Sequence, residues 1–437
     1  MPPTRRSFLT ATTAATLAAA EPPARYAAND QVQIALIGAG GMGQGDVRYA
    51  LSVPGVKLVA AADVYDGRLA RVKEVWGEQV FTTRDYREIL ARKEVDAVII
   101  ATPDHWHAQM ALDALKAGKD VYLEKPMVQK VEQGLAVIAA ERASGRILQV
   151  GSQYVTSLIY TTARDLLKSG AIGELNLVEA WLDRNTALGA WQYTIPPDAS
   201  PANIDWDRFL GSAPKRPFEP VRLFRWRNYQ DYGTAVAGDL FVHLLSGLHV
   251  VTGSLGPTRV LATGGLRYWK DGRDVPDVML AILDYPGFNL ALRVNFKSSV
   301  ATEQFGFRFV GTEAILTAGP NVTVSKARPE SEPGYTVGTF SRAVQEQYLK
   351  EYRKKYPLEE PGAARMESSQ TVYAPPPGYD AHREHHKVFY AAVRSRKPVV
   401  EDAIFGFRAA GPALLANTSY FEQRICQWDP EKMTVPA

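Results

Sequence analysis

Val32-Gln33-Ile34-Ala35-Leu36-Ile37-Gly38-Ala39-Gly40-Gly41-Met42-Gly43 decides the fold of this chain. The first half is an apolar run that reads as a buried strand. The glycines that follow occupy the first, third and sixth positions of a strand-to-helix turn. Gly38 permits the tight turn, Gly40 lets the backbone approach a pyrophosphate, and Gly43 lets the next helix pack closely on the strand. Gly41 and Met42 are expected at the same phosphates, at the positive end of that helix. Asp63 ends the next strand-like run, 20 residues beyond Gly43, where an acid accepts the ribose hydroxyls of a dinucleotide. That acid repels a 2′-phosphate, so NAD is expected over NADP, with Arg68 the nearest argument for the phosphate.

Around this unit, residues 29–150 alternate strand-like and helix-like segments. Strands are expected at Val32 to Ile37, Val56 to Ala62, Ala97 to Ala101, Val121 to Leu123 and Ile147 to Val150. Helices are expected at Asp66 to Trp76, Asp85 to Arg92, His107 to Ala117 and Val131 to Ala143. Such alternation predicts an α/β, Rossmann-type, doubly wound parallel sheet. After Gly151 the pattern changes. A helix from Leu158 to Lys168 leads into a strand from Leu175 to Leu182. Val278 to Leu283 and Asn289 to Phe296 then flank Tyr285-Pro286-Gly287 as a hairpin. Residues 151–437 are therefore expected to form an α+β domain with a mostly antiparallel sheet and helices on one face. A Pro-rich stretch, Ile195 to Pro220, and an insertion, 328–379, read as arms over the site or as an oligomer contact.

Fifty basic and 47 acidic side chains leave a formal charge of +3, without the electrostatic footprint of a nucleic-acid binder; a small-molecule ligand is expected. The single cysteine, Cys426, excludes an internal disulfide framework. Residues 1–28 read as a leader and linker. Thr4-Arg5-Arg6-Ser7-Phe8-Leu9 precedes a short Thr- and Ala-rich stretch, and Ala18-Ala19-Ala20 offers a small-residue cleavage site. This looks like a twin-arginine signal, which implies the twin-arginine export machinery as a partner, a periplasmic or secreted destination, and no membrane segment after cleavage.

The chemistry is concentrated where Asp120-Val121-Tyr122-Leu123 stops at Glu124-Lys125-Pro126, because a strand ending in an open α/β sheet delivers its last side chains to the ligand crevice. Thr102-Pro103-Asp104-His105-Trp106-His107 leaves a neighbouring strand at the same edge. Thr102, Pro103, His107, Glu124 and Lys125 are accordingly expected around the nicotinamide half of the cofactor. Gln153, Tyr154, Arg164, Trp191 and Arg227 are candidates for a carbohydrate pocket, since amide, planar and cationic side chains suit sugar hydroxyls and faces. His382, His385 and His386 have helical spacing, but no acid completes a ligand set and no metal site is expected.

With its glycine fingerprint, Thr102-Pro103, Glu124-Lys125-Pro126 and Ala237-Gly238-Asp239-Leu240-Phe241-Val242-His243, the chain resembles the oxidoreductases typified by glucose-fructose oxidoreductase, inositol dehydrogenase and MocA, the Gfo/Idh/MocA family. The resemblance implies that Lys125 lines an active site completed by Asp239 and His243. Their spacing would put both side chains on one face of a helix, one turn apart. Phe241 and Ser246 depart from the glycine and the acid that many relatives carry there, which bears on pocket shape and substrate.

Hydride transfer from a secondary alcohol needs a base, a positive group for the developing alkoxide, and a cofactor at near-attack distance. His243 fits the base, Lys125 the stabiliser or the base, and Asp239 a group that orients His243 or holds a sugar hydroxyl. The expected activity is NAD(P)-dependent oxidation or reduction of a hydroxyl on a sugar, polyol or glycoside. For an exported protein the cofactor is expected to stay bound through the cycle, as the resemblance to exported glucose-fructose oxidoreductase implies. Two alternatives stay open: a glycoside-cleaving enzyme that oxidises transiently and eliminates the aglycone, as some relatives do, and a non-catalytic binding protein on the same fold. A homo-oligomer is expected from the same resemblance.

Overall fold

The computed structural model describes residues 31–326, 334–357 and 370–436. The expected leader, 1–28, lies outside the described residues, as do 328–333 and 358–369 of the expected insertion.

The first half builds β1 (Val32–Ile37), α1 (Gly41–Leu51), β2 (Val56–Ala62), α2 (Asp66–Trp76), β3 (Phe81–Thr83), α3 (Tyr86–Ala91), β4 (Ala97–Ile100), α4 (His107–Lys116), β5 (Asp120–Leu123), α5 (Gly134–Ser144) and β6 (Leu148–Val150). All pairings are parallel, in the order β3-β2-β1-β4-β5-β6. Every residue of β4 and β5 is buried, as required of strands covered on both faces. Helix boundaries follow local chemistry. The Asp85 carboxylate accepts from the Arg87 N–H at the start of α3, and Gly145, at φ +62°, ends α5 in the left-handed region. The strand order reverses between β1 and β4, so their carboxyl ends open onto the crevice where such sheets bind ligands.

The second half begins with α6 (Leu158–Lys168) and β7 (Leu175–Asp183). A long excursion follows, carrying the short helices α7 (Trp206–Leu210) and α8 (Pro220–Phe224), before α9 (Val242–Thr252). Then come β8 (Arg259–Gly265), β9 (Val278–Tyr285), β10 (Phe288–Asn295), β11 (Gln304–Gly311), β12 (Ala314–Ala318), β13 (Val322–Lys326), α10 (Arg342–Lys355), β14 (Gln370–Tyr373), α11 (Ala381–Ser395), α12 (Ala403–Glu422) and β15 (Cys426–Gln427). Nine strands form one sheet in the order β14-β13-β12-β11-β7-β10-β9-β8-β15. Only β7 and β10 pair in parallel; the other pairs are antiparallel. The expected hairpin forms between β9 and β10, with Pro286-Gly287 as the loop and Gly287 at φ +91°.

Alternation of buried and exposed residues along β9 and β10 marks one buried face, on the sheet where α12 packs against β8, and one open face that exposes Leu280 and Ile282, with Leu261 of β8 beside Ile282. Near its end the chain returns to the first sheet. Phe389, Tyr390 and Val393 of α11 pack in one apolar cluster with Ile34, Leu36, Val47 and Tyr122.

Candidate functional site

The crevice at the carboxyl ends of β1, β2 and β4 is a cavity of about 550 Å³. Gly38 stands at φ +93°, and a Cβ there would lie 2.6 Å from the Ala101 carbonyl oxygen; one on Gly43 would lie 2.2 Å from that of Gly38. Both glycines are therefore required by close approach. The Asp63 carboxylate accepts from the Ala39 N–H at 2.8 Å and the Tyr65 N–H at 3.0 Å, tying the end of β2 to the glycine loop. Arg68 lies 3.4 Å from Asp63 and 5.3 Å over the Phe224 ring.

Gly38, Gly40, Gly41, Met42, Asp63, Thr102 and Pro103 line the cavity, while Gly43, His107, Glu124 and Lys125 do not. Gly43 acts by packing. His107, expected beside the cofactor, has Nδ1 2.7 Å from the Pro126 carbonyl and Nε2 3.0 Å from that of Thr102, so both ring nitrogens brace backbone. Burial pulls this imidazole down to about 4. Glu124, expected at the same place, faces inward. Its carboxyl is buried, accepts from Gln153 Nε2 at 2.7 Å, and is pushed well above the usual range by burial and then by the charge of Asp46.

The far wall of the cavity comes from the long excursion between β7 and α9, residues 184–236. This segment straps across the first domain. Tyr65 and Ile204 form an antiparallel bridge, flanked by Asp66 N–H to the Asn203 carbonyl at 3.0 Å and Asp205 N–H to the Val64 carbonyl at 2.8 Å. His105 Nε2 and Trp106 Nε1 both reach the Phe209 carbonyl, at 2.8 and 3.0 Å. An apolar cluster of Tyr65, Ile204, Phe209, Leu223, Phe224 and Tyr232 holds the strap down.

At the end of this wall, Arg227 joins the candidate catalytic group. Lys125 Nζ donates to the Asp239 carbonyl at 2.9 Å and to its Oδ1 at 3.0 Å, and Arg227 Nε donates to the same Oδ1 at 3.0 Å. Burial raises the Asp239 carboxyl, but the charges of Lys125 and Arg227 outweigh it and hold the group well below the usual range. The helix that carries these residues departs from the expected regular turn. Ala237–Phe241 form a widened π-turn ahead of α9, and both the carbonyl and the carboxylate of Asp239 serve Lys125. Asp239 therefore holds Lys125 and Arg227, and no hydrogen bond links it to His243. Burial, reinforced by Lys125, keeps the His243 imidazole well below its ordinary value and hence neutral, although the ring retains some exposure.

Asp104 belongs to this group and was not singled out from the sequence. It is buried, accepts from Thr234 Oγ1 at 2.7 Å, and leaves Oδ1 unpartnered. Burial, then the neighbouring charge of Asp239, pushes it up to about 7. Its place directly after Thr102-Pro103, at the carboxyl edge of β4, is the signal the sequence carries for it.

Of the expected carbohydrate contacts, Gln153 is tied to Glu124 and Arg227 to Asp239. Tyr154 is exposed, stacked on Phe305 at 5.5 Å and edge-on to His382 at 5.5 Å. Arg164 pairs with Asp165 on the surface of α6, and Trp191 is a core residue 4.7 Å from Phe296. Both fall outside the group. His385 contacts the Val150 carbonyl, His386 stacks on Tyr122, and His382 stacks on Tyr49. Among the described residues no three His, Cys, Asp or Glu side chains converge as metal ligands, and no helix is long and apolar enough to cross a membrane.

Residues 32–152 match the model of the Gfo/Idh/MocA oxidoreductase family, NAD-binding Rossmann fold. Inositol 2-dehydrogenase of Gluconacetobacter diazotrophicus is 32% identical over 158 residues, 36% of this chain and 47% of that protein. The scyllo-inositol 2-dehydrogenase (NAD(+)) of Bacillus subtilis is 33% identical over 145 residues, 33% of this chain and 42% of that one. The chain thus spans about half the length of the curated relatives it matches. Likeness of fold extends much further. Levoglucosan dehydrogenase, solved with NADH and levoglucosan, superposes with a TM-score of 0.66 over 91% of this chain and 99% of that one, at 17% identity. The aldose-aldose oxidoreductase from Caulobacter crescentus gives 0.65 over 91% and 99%, at 16%.

Proposed function

We propose that the whole chain, whose residues 32–152 match the Gfo/Idh/MocA family model, is an NAD(P)-dependent oxidoreductase acting on a CH–OH group of a sugar or polyol. The observation that carries this reading is the clamp on Lys125, held at 2.9 and 3.0 Å by Asp239 at the edge where the glycine loop opens. NAD, when bound, would supply the acceptor for the hydride of the carbinol carbon. His243, neutral in its surroundings, takes the hydroxyl proton. Lys125 keeps its ammonium directed by Asp239 and steadies the alkoxide as the proton leaves. Asp63 and the glycine loop hold the adenosine side, with Arg68 close enough to admit some NADP.

Support for a retained cofactor comes from the strap, whose main-chain bonds to Val64 and Asp66 cover the crevice. In this reading one substrate reduces the bound cofactor and a second reoxidises it. The leader is proposed to export the protein by the twin-arginine route, and the open face of the nine-stranded sheet is the proposed surface for self-association. Lys125→Ala and His243→Ala should each lower turnover by a factor of about 10² or more with bound nucleotide retained. Single-turnover reduction of the cofactor by a panel of inositols and aldoses checks this, and near-normal rates in both variants would exclude it.

A further inference from the structure

Arg227 uses one of its donors. Nε is spent on Asp239 at 3.0 Å, while the two terminal amino groups have no hydrogen-bond partner among the described residues and are not shut off from solvent. The guanidinium lies 4.2 Å over the Trp226 ring, which leaves its edge, rather than its face, for a ligand. Arg227 and Trp226 line the same cavity as the glycine loop, at the end nearest Lys125.

The other cations lining the cavity each pair with an acid outside the Lys125–Asp239 group: Arg84 with Asp66, Arg87 with Asp85, Arg208 with Asp205, and Arg68 with Asp63. Asp239 is shared between Lys125 and Arg227, so two positive side chains face one carboxylate. Asp104, the other acid close to Arg227, is largely protonated below neutral pH. A planar guanidinium edge with two parallel N–H donors matches a carboxylate or phosphate in bidentate fashion, and a neutral hydroxyl would leave part of it unpaired.

We propose that the substrate is a sugar bearing an acidic group, received by the terminal amino groups of Arg227 while the reacting hydroxyl meets Lys125 and His243. This rests on the dehydrogenase reading of the same site. A carboxylate is the favoured form, because one flat fork receives one flat acid. A sugar phosphate shares the chemistry and is separated by the test.

The probes are matched sets: D-glucose, D-glucuronate and D-glucose 6-phosphate, with D-galactose and D-galacturonate, titrated calorimetrically into the full-length protein as purified with its cofactor. At least one acid should bind about tenfold or more tightly than its neutral counterpart, with the preference shrinking as salt rises. Arg227→Met should abolish the preference. Arg227→Lys, which keeps a charge on Asp239 without the fork, should retain a minor part of it; thermal unfolding of both variants confirms that they fold. A stronger response to the 6-phosphate than to either uronate would replace the carboxylate with a phosphate. Equal binding of neutral and acidic sugars, no saturable binding of any acid below about 10 mM, or an unchanged preference in Arg227→Met would overturn the proposal. Reduction of the cofactor is followed in parallel. Reduction by neutral sugars without acid preference removes the inference and keeps the dehydrogenase, whereas acid preference with no reduction by any sugar removes the dehydrogenase and keeps the acid site.

Discussion

Asp104 shows how much a single residue can weigh in this molecule. Its carboxyl is buried beside Asp239 and rises from the ordinary range to about 7 on folding. Between pH 4 and 7 the folded chain therefore binds more protons at this site than the unfolded chain, and stability falls as pH rises through that window. The full penalty, roughly 4 kcal/mol by linkage, is reached only above pH 7. Asp104→Asn should remove it: the variant should gain thermal stability at pH 8 relative to the parent, and the two should converge near pH 4. Melting temperatures across that range check the sign. Legibility at this scale was uneven. Lys125 and Asp239 lie in segments that strand-end position and the family resemblance single out, and hydrogen bonds join them, while Arg227 and Gln153, expected at a sugar, are found tied to Asp239 and Glu124. Asp104 and the bracing role of His107 are not so singled out, since both follow from what is buried opposite them, a long-range property that spacing does not carry.

Among the elements, regular ones with strong periodicity could be read closely. β1, β2, α2 and α6 have the bounds that their apolar patterns predict. β3, β14 and β15 escaped because they are edge or near-edge strands of two to four residues, too short for alternation to register. The π-turn at Ala237–Phe241 also left no trace in the pattern, yet it redirects Asp239 from His243 to Lys125. The strap was foreseen only as a Pro-rich arm, and its attachment depends on Tyr65, Val64 and Asp66 of the other domain. Replacing residues 197–205 with a Gly-Ser linker removes that attachment. Release of bound NAD should then accelerate by about tenfold or more, measured by exchange against labelled nucleotide, because local opening governs escape from an enclosed site.

At the scale of the whole molecule, two sheets share one chain but not one set of neighbours. The doubly wound half and the mostly antiparallel half both follow from the change of pattern after Gly151, whereas the return of α11 to the first sheet does not. A cofactor enclosed by the second half should survive purification. Denaturing the purified protein should release close to one equivalent of dinucleotide, with NAD in excess over NADP because an acid at the end of β2, Asp63, disfavours a 2′-phosphate. Mass spectrometry of the supernatant identifies it. An empty protein that turns over with exchangeable NAD would set aside the closed cycle.

Phe389, Tyr390 and Val393 carry a further consequence, in the order of synthesis. The ribosome delivers the glycine motif well before these three residues, yet they complete the apolar cluster around Ile34, Leu36 and Val47. The nascent nucleotide-binding half thus keeps one side of its core uncovered until α11 has emerged. Truncation ahead of α11 would therefore leave the glycine turn intact in sequence while opening the core that supports it.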